Sequence, residues 1–251
     1  MRIIYEPKGR ALEYAPLAVS LYRGCSHGCT YCFAPGVIHV TRENFLQASP
    51  RKDAIKLLKA DAAELEAAGD KREILMSFTT DPYQPIEQQY RLTDVAIRIL
   101  RDRGLHFTVL TKAGIPSLFD MEAMQEAPDL CRYGTTLTLS REDERKKWEP
   151  NAASTEDRCI ALKTMHEHGI RTWVSMEPLL DIDQALHLIV LTAPYVDEYR
   201  LGTLNHSEKI HTDGQLTAYV MEAAALIKAF GKRAVFKKDL QPYLKAAGVH
   251  L

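Results

Sequence analysis

The sequence of 251 residues is short of most features that would place it in a specialised class. No stretch approaches the roughly 18 consecutive apolar residues of a membrane-spanning helix. The start, Met1-Arg2-Ile3-Ile4-Tyr5-Glu6-Pro7, has neither the apolar run nor the cleavage site of a secretory signal. These absences lead us to expect a cytoplasmic protein with no membrane partner. Basic charge is not in excess either, with 32 Lys and Arg against 33 Asp and Glu. The chain as a whole therefore exerts no pull on nucleic acid, and only a local patch could do so. No linker, low-complexity tract or short repeat marks a second domain. Five cysteines are too few, and odd in number, for a disulfide scaffold. In a reducing compartment such thiols are free for metals or catalysis.

What the sequence does have is a hydrophobic fraction of 46%, enough to build one full core. From Leu17 onward, β-prone apolar runs alternate with longer segments of helical period. Strands are expected at 17–23, 73–78, 106–110, 133–139, 171–175 and 196–201, with a further one at 233–237. Helices are expected at 50–68, 93–103, 116–127, 155–168, 182–191 and 215–230. Ser49 and Pro50 read as N-cap and first helical residue, and Ser154 precedes an acidic first turn. Gly69, Gly104, Gly169 and Gly231 stand where a helix ends in a left-handed residue. The alternation predicts an α/β fold with a parallel sheet, as an open partial barrel or a doubly wound sheet, in one domain spanning 1–251. A short extension, 1–16, precedes this core and a segment, 232–251, closes it. In either architecture chemistry gathers at the C-terminal ends of the strands.

Three of the five cysteines fall within eight positions, in Cys25-Ser26-His27-Gly28-Cys29-Thr30-Tyr31-Cys32, directly after the first expected strand. A CxxxCxxC loop can wrap three thiolates around one iron–sulfur cluster and leave a fourth iron open. A zinc site of three cysteines and His27, serving a binding or sensing module, is an alternative, although such sites usually pair ligands from two separated segments. A redox pair at Cys29 and Cys32 would leave Cys25 without a purpose.

The cysteine spacing, the aromatic Tyr31 before the last cysteine and the position in a βα series resemble the radical S-adenosylmethionine (SAM) superfamily. Further residues narrow the resemblance to the branch of spore photoproduct lyase: a strand ending at Ser140, the acidic stretch after it, Glu149-Pro150 and Arg158 opening a helix. The resemblance implies a partial (β/α)6 barrel. It also implies a [4Fe–4S] cluster on Cys25, Cys29 and Cys32, and S-adenosyl-L-methionine cleaved to a 5′-deoxyadenosyl radical that abstracts hydrogen. Such an oxygen-sensitive enzyme, be it lyase, oxidoreductase or transferase, draws electrons from an external flavodoxin or ferredoxin.

By resemblance, Thr79, Thr80 and Asp81 hold the methionine ammonium, though Asp81-Pro82 also reads as a turn. Lys112 and Ser140 end strands on the same rim. Arg158 suits a two-point clamp on the methionine carboxylate, and Ser175 and Glu177 are placed for the ribose hydroxyls. Glu149 is a site candidate or a structural cap partner. Spore photoproduct lyase depends on a hydrogen-donor cysteine where this chain has Phe78, and on a tyrosine where it has Phe33. Both differences argue against that particular DNA repair, although a nucleic-acid substrate stays open. Basic groups at Arg141, Arg145, Lys146 and Lys147 and at Lys232, Arg233, Lys237 and Lys238 would meet phosphates only if they lie near the barrel mouth. Cys131 and Cys159 read as inert buried thiols, and His27 and His206 as loop histidines without an assigned role.

Overall fold

The computed structural model describes residues 2–204 and 209–249; His206 lies outside them. Among the described residues ten strands form two sheets: β1 (Ile4–Tyr5), β2 (Leu17–Val19), β3 (Tyr22–Arg23), β4 (Ser49–Pro50), β5 (Ile74–Met76), β6 (Phe107–Thr111), β7 (Cys131–Thr136), β8 (Arg171–Leu179), β9 (Glu198–Thr203) and β10 (Arg233–Phe236). The main sheet runs β1-β2-β5-β6-β7-β8-β9-β10, and β3 and β4 pair separately. All neighbours from β2 to β10 are parallel, and β1 runs antiparallel to β2. The six expected strands and the seventh at the C-terminal side are thus present in one open, mostly parallel sheet, the core of a partial barrel. Helices Ala54–Ala67, Leu92–Asp102, Thr155–Glu167, Ile182–Thr192 and Asp213–Ala229 make the crossovers.

Three expected elements differ from the structure. The strand placed at 17–23 breaks after Val19, and Tyr22–Arg23 turns away to pair with Ser49–Pro50. Pro50 therefore lies in a strand and not at the first turn of a helix; a two-stranded ribbon tolerates its missing N–H. The helix begins instead at Ala54, after Asp53 in a left-handed conformation. The segment 116–127 is a 3-10 turn, Ile115–Asp120, followed by a short α-helix, Met121–Gln125. Ser154 does cap its helix, accepting from Asp157 N at 3.0 Å, and all four end glycines have positive φ.

Strand alternation sorts the barrel interior into layers. At the N-terminal end lie Glu73, Arg132, Glu198 and Arg233. Two residues further along each strand come Leu75 and Trp173, packed with Ala15, Ala18, Tyr14 and Phe78. The residues facing outward form the larger apolar core under the helices, with Val19, Ile74, Val109 and Val174 among them. Trp173 fits because its neighbour across the ladder is Gly134, where an added Cβ would come within 2.2 Å of the indole. Above Trp173 the barrel opens into a cavity.

Candidate active site

The cavity, about 500 Å³, lies at the C-terminal ends of the strands. Volumes of this size accommodate nucleoside-sized ligands. Its lining includes Cys25, Cys29 and Cys32 from the loop after β3, Ser77 to Asp81 after β5, Lys112 after β6, Thr136 of β7, Glu177 of β8 and Lys237 after β10. Tyr14, Phe33, Phe78 and Leu110 supply an apolar wall, with Phe33 and Phe78 ring centroids 5.8 Å apart.

The cysteine loop is held from several sides. Gly24 has φ +73°, and a Cβ there would stand 2.5 Å from the Phe45 carbonyl, so only glycine can turn the chain at this point. Cys25 N donates to that carbonyl at 2.8 Å. Fully buried Gln84 accepts from Ser26 N at 3.1 Å and donates to Gly24 O at 3.3 Å. Asn151 donates through Nδ2 to Ser26 O and through N to His27 O. The Arg42 guanidinium donates to the carbonyls of Cys29 and Cys32. Burial raises the Cys25 thiol well above its ordinary value and pushes the Cys29 thiol up to about 11. Cationic iron held there would oppose that burial cost, since a coordinating thiol is deprotonated outright. Among the described residues, no three His, Cys, Asp or Glu side chains are gathered to hold one metal ion. Three thiols in one compact loop are a donor set that would suit a four-iron cluster. The cavity lining also contains buried polar atoms without hydrogen bonds, Ser77 Oγ and both His27 ring nitrogens, as a site awaiting a polar ligand would.

The expected SAM residues divide into two groups. Thr79, Thr80, Asp81, Lys112 and Glu177 line the cavity with the cysteines. Within this group Asp81 is already engaged, accepting from Thr111 Oγ1 at 2.7 Å, Lys112 N at 2.7 Å and Tyr83 N at 2.9 Å, the last closing the expected turn. The Thr80 hydroxyl donates to Gly24 O and accepts from Gln84 Nε2 at 2.8 Å, which ties the strand end to the cysteine loop. Thr79 is less committed, with a 3.5 Å contact to Ser20 Oγ. Glu177 is bonded by Tyr14 at 2.5 Å, by Arg10 at 3.2 Å and by the Lys237 ammonium. Burial is the main force lowering Lys237, to about 8, against the pull of Glu177.

Ser140, Arg158 and Ser175 are not on the cavity. Ser140 N donates to Gln184 Oε1 at 2.9 Å, tying the loop after β7 to the helix Ile182–Thr192. The Ser175 hydroxyl lies one layer down, bonded to Tyr14 at 2.9 Å and covered by it. Arg158, expected as a carboxylate clamp, is 1% exposed and lies behind the cavity wall. It pairs with Glu149 at 2.6 Å and donates to the carbonyls of Thr136 and Ala153, so the fork is spent inside the protein. Glu149 is fully buried; burial raises its carboxyl, but Arg158 and Lys112 outweigh this and hold it below the ordinary range. It accepts from Tyr31, so the pair braces the cysteine loop from behind.

The basic groups are mostly spoken for. Arg141 and Arg145 pair with Glu144 and Glu142, and Arg233 pairs with Glu198 at the opposite barrel end. Cys131 donates to the Met124 carbonyl at 3.4 Å, and neither Cys131 nor Cys159 lines the cavity. Residues that sequence reasoning did not assign to the site include Arg10, Tyr14, Ser77, Gln84 and Thr136. Ser77 and Thr136 had a signal: period two from Thr79 and from Gly134 points inward.

An uncharacterized protein of Methanocaldococcus jannaschii is 27% identical over 203 residues, covering 76% of this chain and 71% of its own. An uncharacterized protein of Mycobacterium tuberculosis is 28% identical over 187 residues, covering 69% of this chain. The chain spans about half of that relative's length, 52%. Among solved structures, a spore photoproduct lyase variant with bound AdoMet and dinucleoside spore photoproduct superimposes with a TM-score of 0.72 at 14% identity, over 93% of this chain and 78% of its own. Streptococcus suis SuiB bound to S-adenosylmethionine gives 0.61 at 13% identity, over 87% of this chain and 45% of its own. The model of the radical SAM superfamily matches residues 19–183, more than half of the chain. The protein belongs to the radical SAM superfamily, and is an enzyme that works with a [4Fe–4S] cluster and S-adenosylmethionine.

Proposed function

We propose that Cys25, Cys29 and Cys32 ligate the cluster, and that the cavity holds S-adenosylmethionine with a substrate carbon beside its C5′ atom. The observation carrying this reading is the shared cavity: the three thiols, the β5 strand end and Glu177 line one volume. The bound cofactors supply an electron that cleaves the sulfonium and a 5′-deoxyadenosyl radical that abstracts hydrogen. The chain's own part is to hold and to shield. Thr79 offers a hydroxyl for the methionine ammonium, and Glu177, held in place by Tyr14 and Lys237, accepts from ribose hydroxyls. Phe33, Phe78 and Leu110 exclude water from the radical's path and favour an apolar substrate face.

A zinc-stabilised binding module no longer fits, since the superfamily is one of enzymes. Repair of a DNA lesion retains fold likeness as its support. Its lyase-type hydrogen donor has no counterpart: Phe78 lines the cavity, and the cavity's cysteines are the three of the cluster loop. Reduced, reconstituted protein incubated with S-adenosylmethionine is expected to release 5′-deoxyadenosine, and Cys25→Ala, Cys29→Ala or Cys32→Ala to abolish it. Undiminished product in these variants would contradict the ligand assignment. Salt-sensitive binding of damaged or single-stranded DNA by the loaded protein would revive the lesion reading.

A further inference from the structure

The cavity is more cationic than the chain around it. Four cations, Lys8, Arg10, Lys112 and Lys237, share its lining with two carboxylates, Asp81 and Glu177, in a chain of net −1. The cations stand in two groups. Lys112 belongs to the cysteine side, with its backbone N on Asp81 at 2.7 Å and its Nζ 5.8 Å from the centre of the Tyr31 ring. Arg10 and Lys237 belong to the opposite side, both bonded to Glu177, and Lys8 stands two residues before Arg10. S-adenosylmethionine brings one carboxylate, which answers one cation and leaves the second group in excess.

Lys8 and Arg10 come from the segment between β1 and β2, which is fastened to the far strand ends of the open sheet. Arg10 pairs with Glu177 of β8 at 3.2 Å and with Asp239, beyond β10, at 2.8 Å. Tyr14 donates to Glu177 at 2.5 Å, and Glu13 accepts from Lys238 N at 2.8 Å. Both ion pairs of Arg10 fall on Nη2, so its Nη1 makes no bond among the described residues. Lys8 is exposed yet on the lining, which marks the mouth of the cavity, and its side chain has no ion pair or hydrogen bond among those residues. One cation is thus held in place with a donor to spare, and the other is wholly unspent. A cavity of about 500 Å³ shared with a nucleoside-sized cofactor admits only the reacting end of a substrate, so the other end reaches the mouth.

We propose that Lys8 Nζ and Arg10 Nη1 form an oxyanion subsite. The substrate is then a small molecule with a phosphate-ester or carboxylate group at the mouth, and with the apolar carbon that loses hydrogen turned toward Tyr14, Phe33 and Phe78. A guanidinium and an ammonium from one short turn suit such a group, since both donate charge-assisted hydrogen bonds. Lys237 takes no part, because its ammonium is buried against Glu177. This subsite rests on the cavity being the one that holds S-adenosylmethionine, as proposed above.

The test is calorimetric titration of cluster-loaded, oxidised protein, without reductant so that nothing is cleaved, with phenyl phosphate, benzoate and phenol. At least one of the two anions is expected to bind the wild type better than phenol. Lys8→Glu should weaken that anion roughly tenfold, as loss of one charge-assisted bond does, and leave phenol, iron content and melting temperature as they are. Lys8→Arg should restore binding. Arg10→Lys keeps a charge for Glu177 and Asp239 but lacks the fork, and should weaken the anion as well. Phenyl phosphate ahead of benzoate assigns a phosphate ester, and the reverse a carboxylate. Anions that bind the wild type no better than phenol, or bind Lys8→Glu equally well, overturn the proposal. Displacement of the anion by S-adenosylmethionine also overturns it, because the cations would then serve the cofactor. Titration with S-adenosylmethionine alone tests the proposed function separately.

Discussion

Arg158 and Glu149 face each other where water does not reach, 1% and 0% exposed. Removing one member of such a pair strands the other charge, a cost of about 3–5 kcal/mol. Arg158→Ala is therefore expected to unfold at markedly lower temperature and to load less iron, because Glu149 and its neighbours Trp148 and Asn151 hold the cysteine loop. Had Arg158 been a carboxylate clamp, the variant would keep its stability and lose affinity for S-adenosylmethionine alone; differential scanning calorimetry with iron analysis separates these outcomes. Lys237 makes a second prediction. Its amine falls to about 8 on folding, mainly through burial. Between that value and about 10 the unfolded chain binds more protons than the folded one, so the amine makes stability rise with pH across this window. The buried thiols, raised on folding, act the other way over the same window, so the prediction is a difference: in urea unfolding at pH 8 and pH 10 the wild type should gain stability relative to Lys237→Met, and equal slopes would refute the assignment.

At the scale of strands and helices, the fit of β7 against β8 depends on one missing side chain. Gly134→Ala drives a methyl group into the Trp173 indole, which is fully buried and bonded through Nε1 to Thr108 Oγ1 at 2.8 Å. Overpacking of this kind costs about 1–3 kcal/mol, and chemical denaturation should show it together with altered tryptophan fluorescence; an unperturbed spectrum would mean that the indole moves freely. Much of this level was legible in the sequence. The six strands, the glycine helix ends and the Ser154 cap follow local rules of period and backbone conformation. What was missed depends on distant partners. Pro50 reads as a helix start until Tyr22 and Arg23 are found beside it, and the N-terminal extension hides that β1 joins the sheet and that Gly9–Glu13 is a 3-10 turn. The site divided in the same way. Strand ends named the cavity residues Thr79, Lys112 and Glu177. That Arg158 and Ser175 lie off the cavity lining was not legible, because burial and covering by Tyr14 are tertiary facts.

In the whole molecule the two ends of the barrel do different work. Among the described residues, the C-terminal end keeps Ser77 Oγ and the His27 ring without hydrogen bonds around a cavity. The N-terminal end spends its charges on itself: Glu198 pairs with Arg132, Arg200 and Arg233, and Arg132 also with Glu73. Trp173 lies between, with the Arg200 guanidinium 4.7 Å from its ring centroid and Tyr14 6.1 Å away on the cavity side. Burial raises the Glu198 carboxyl, but its arginines outweigh this and hold it below the ordinary range. A carboxylate depressed on folding stabilises above its unfolded value, about 4.3, and loses that contribution as pH falls. Glu198→Gln should cost about 2–4 kcal/mol by leaving three arginines short of a partner, or roughly 5–12 °C in melting temperature. It should also flatten the loss of stability between pH 5 and pH 3. Because the indole layer separates the two ends, S-adenosylmethionine affinity and the yield of 5′-deoxyadenosine at a permissive temperature should match the wild type. A variant of normal stability, or one whose cofactor affinity falls with its melting temperature, would show that the barrel ends are not divided in this way.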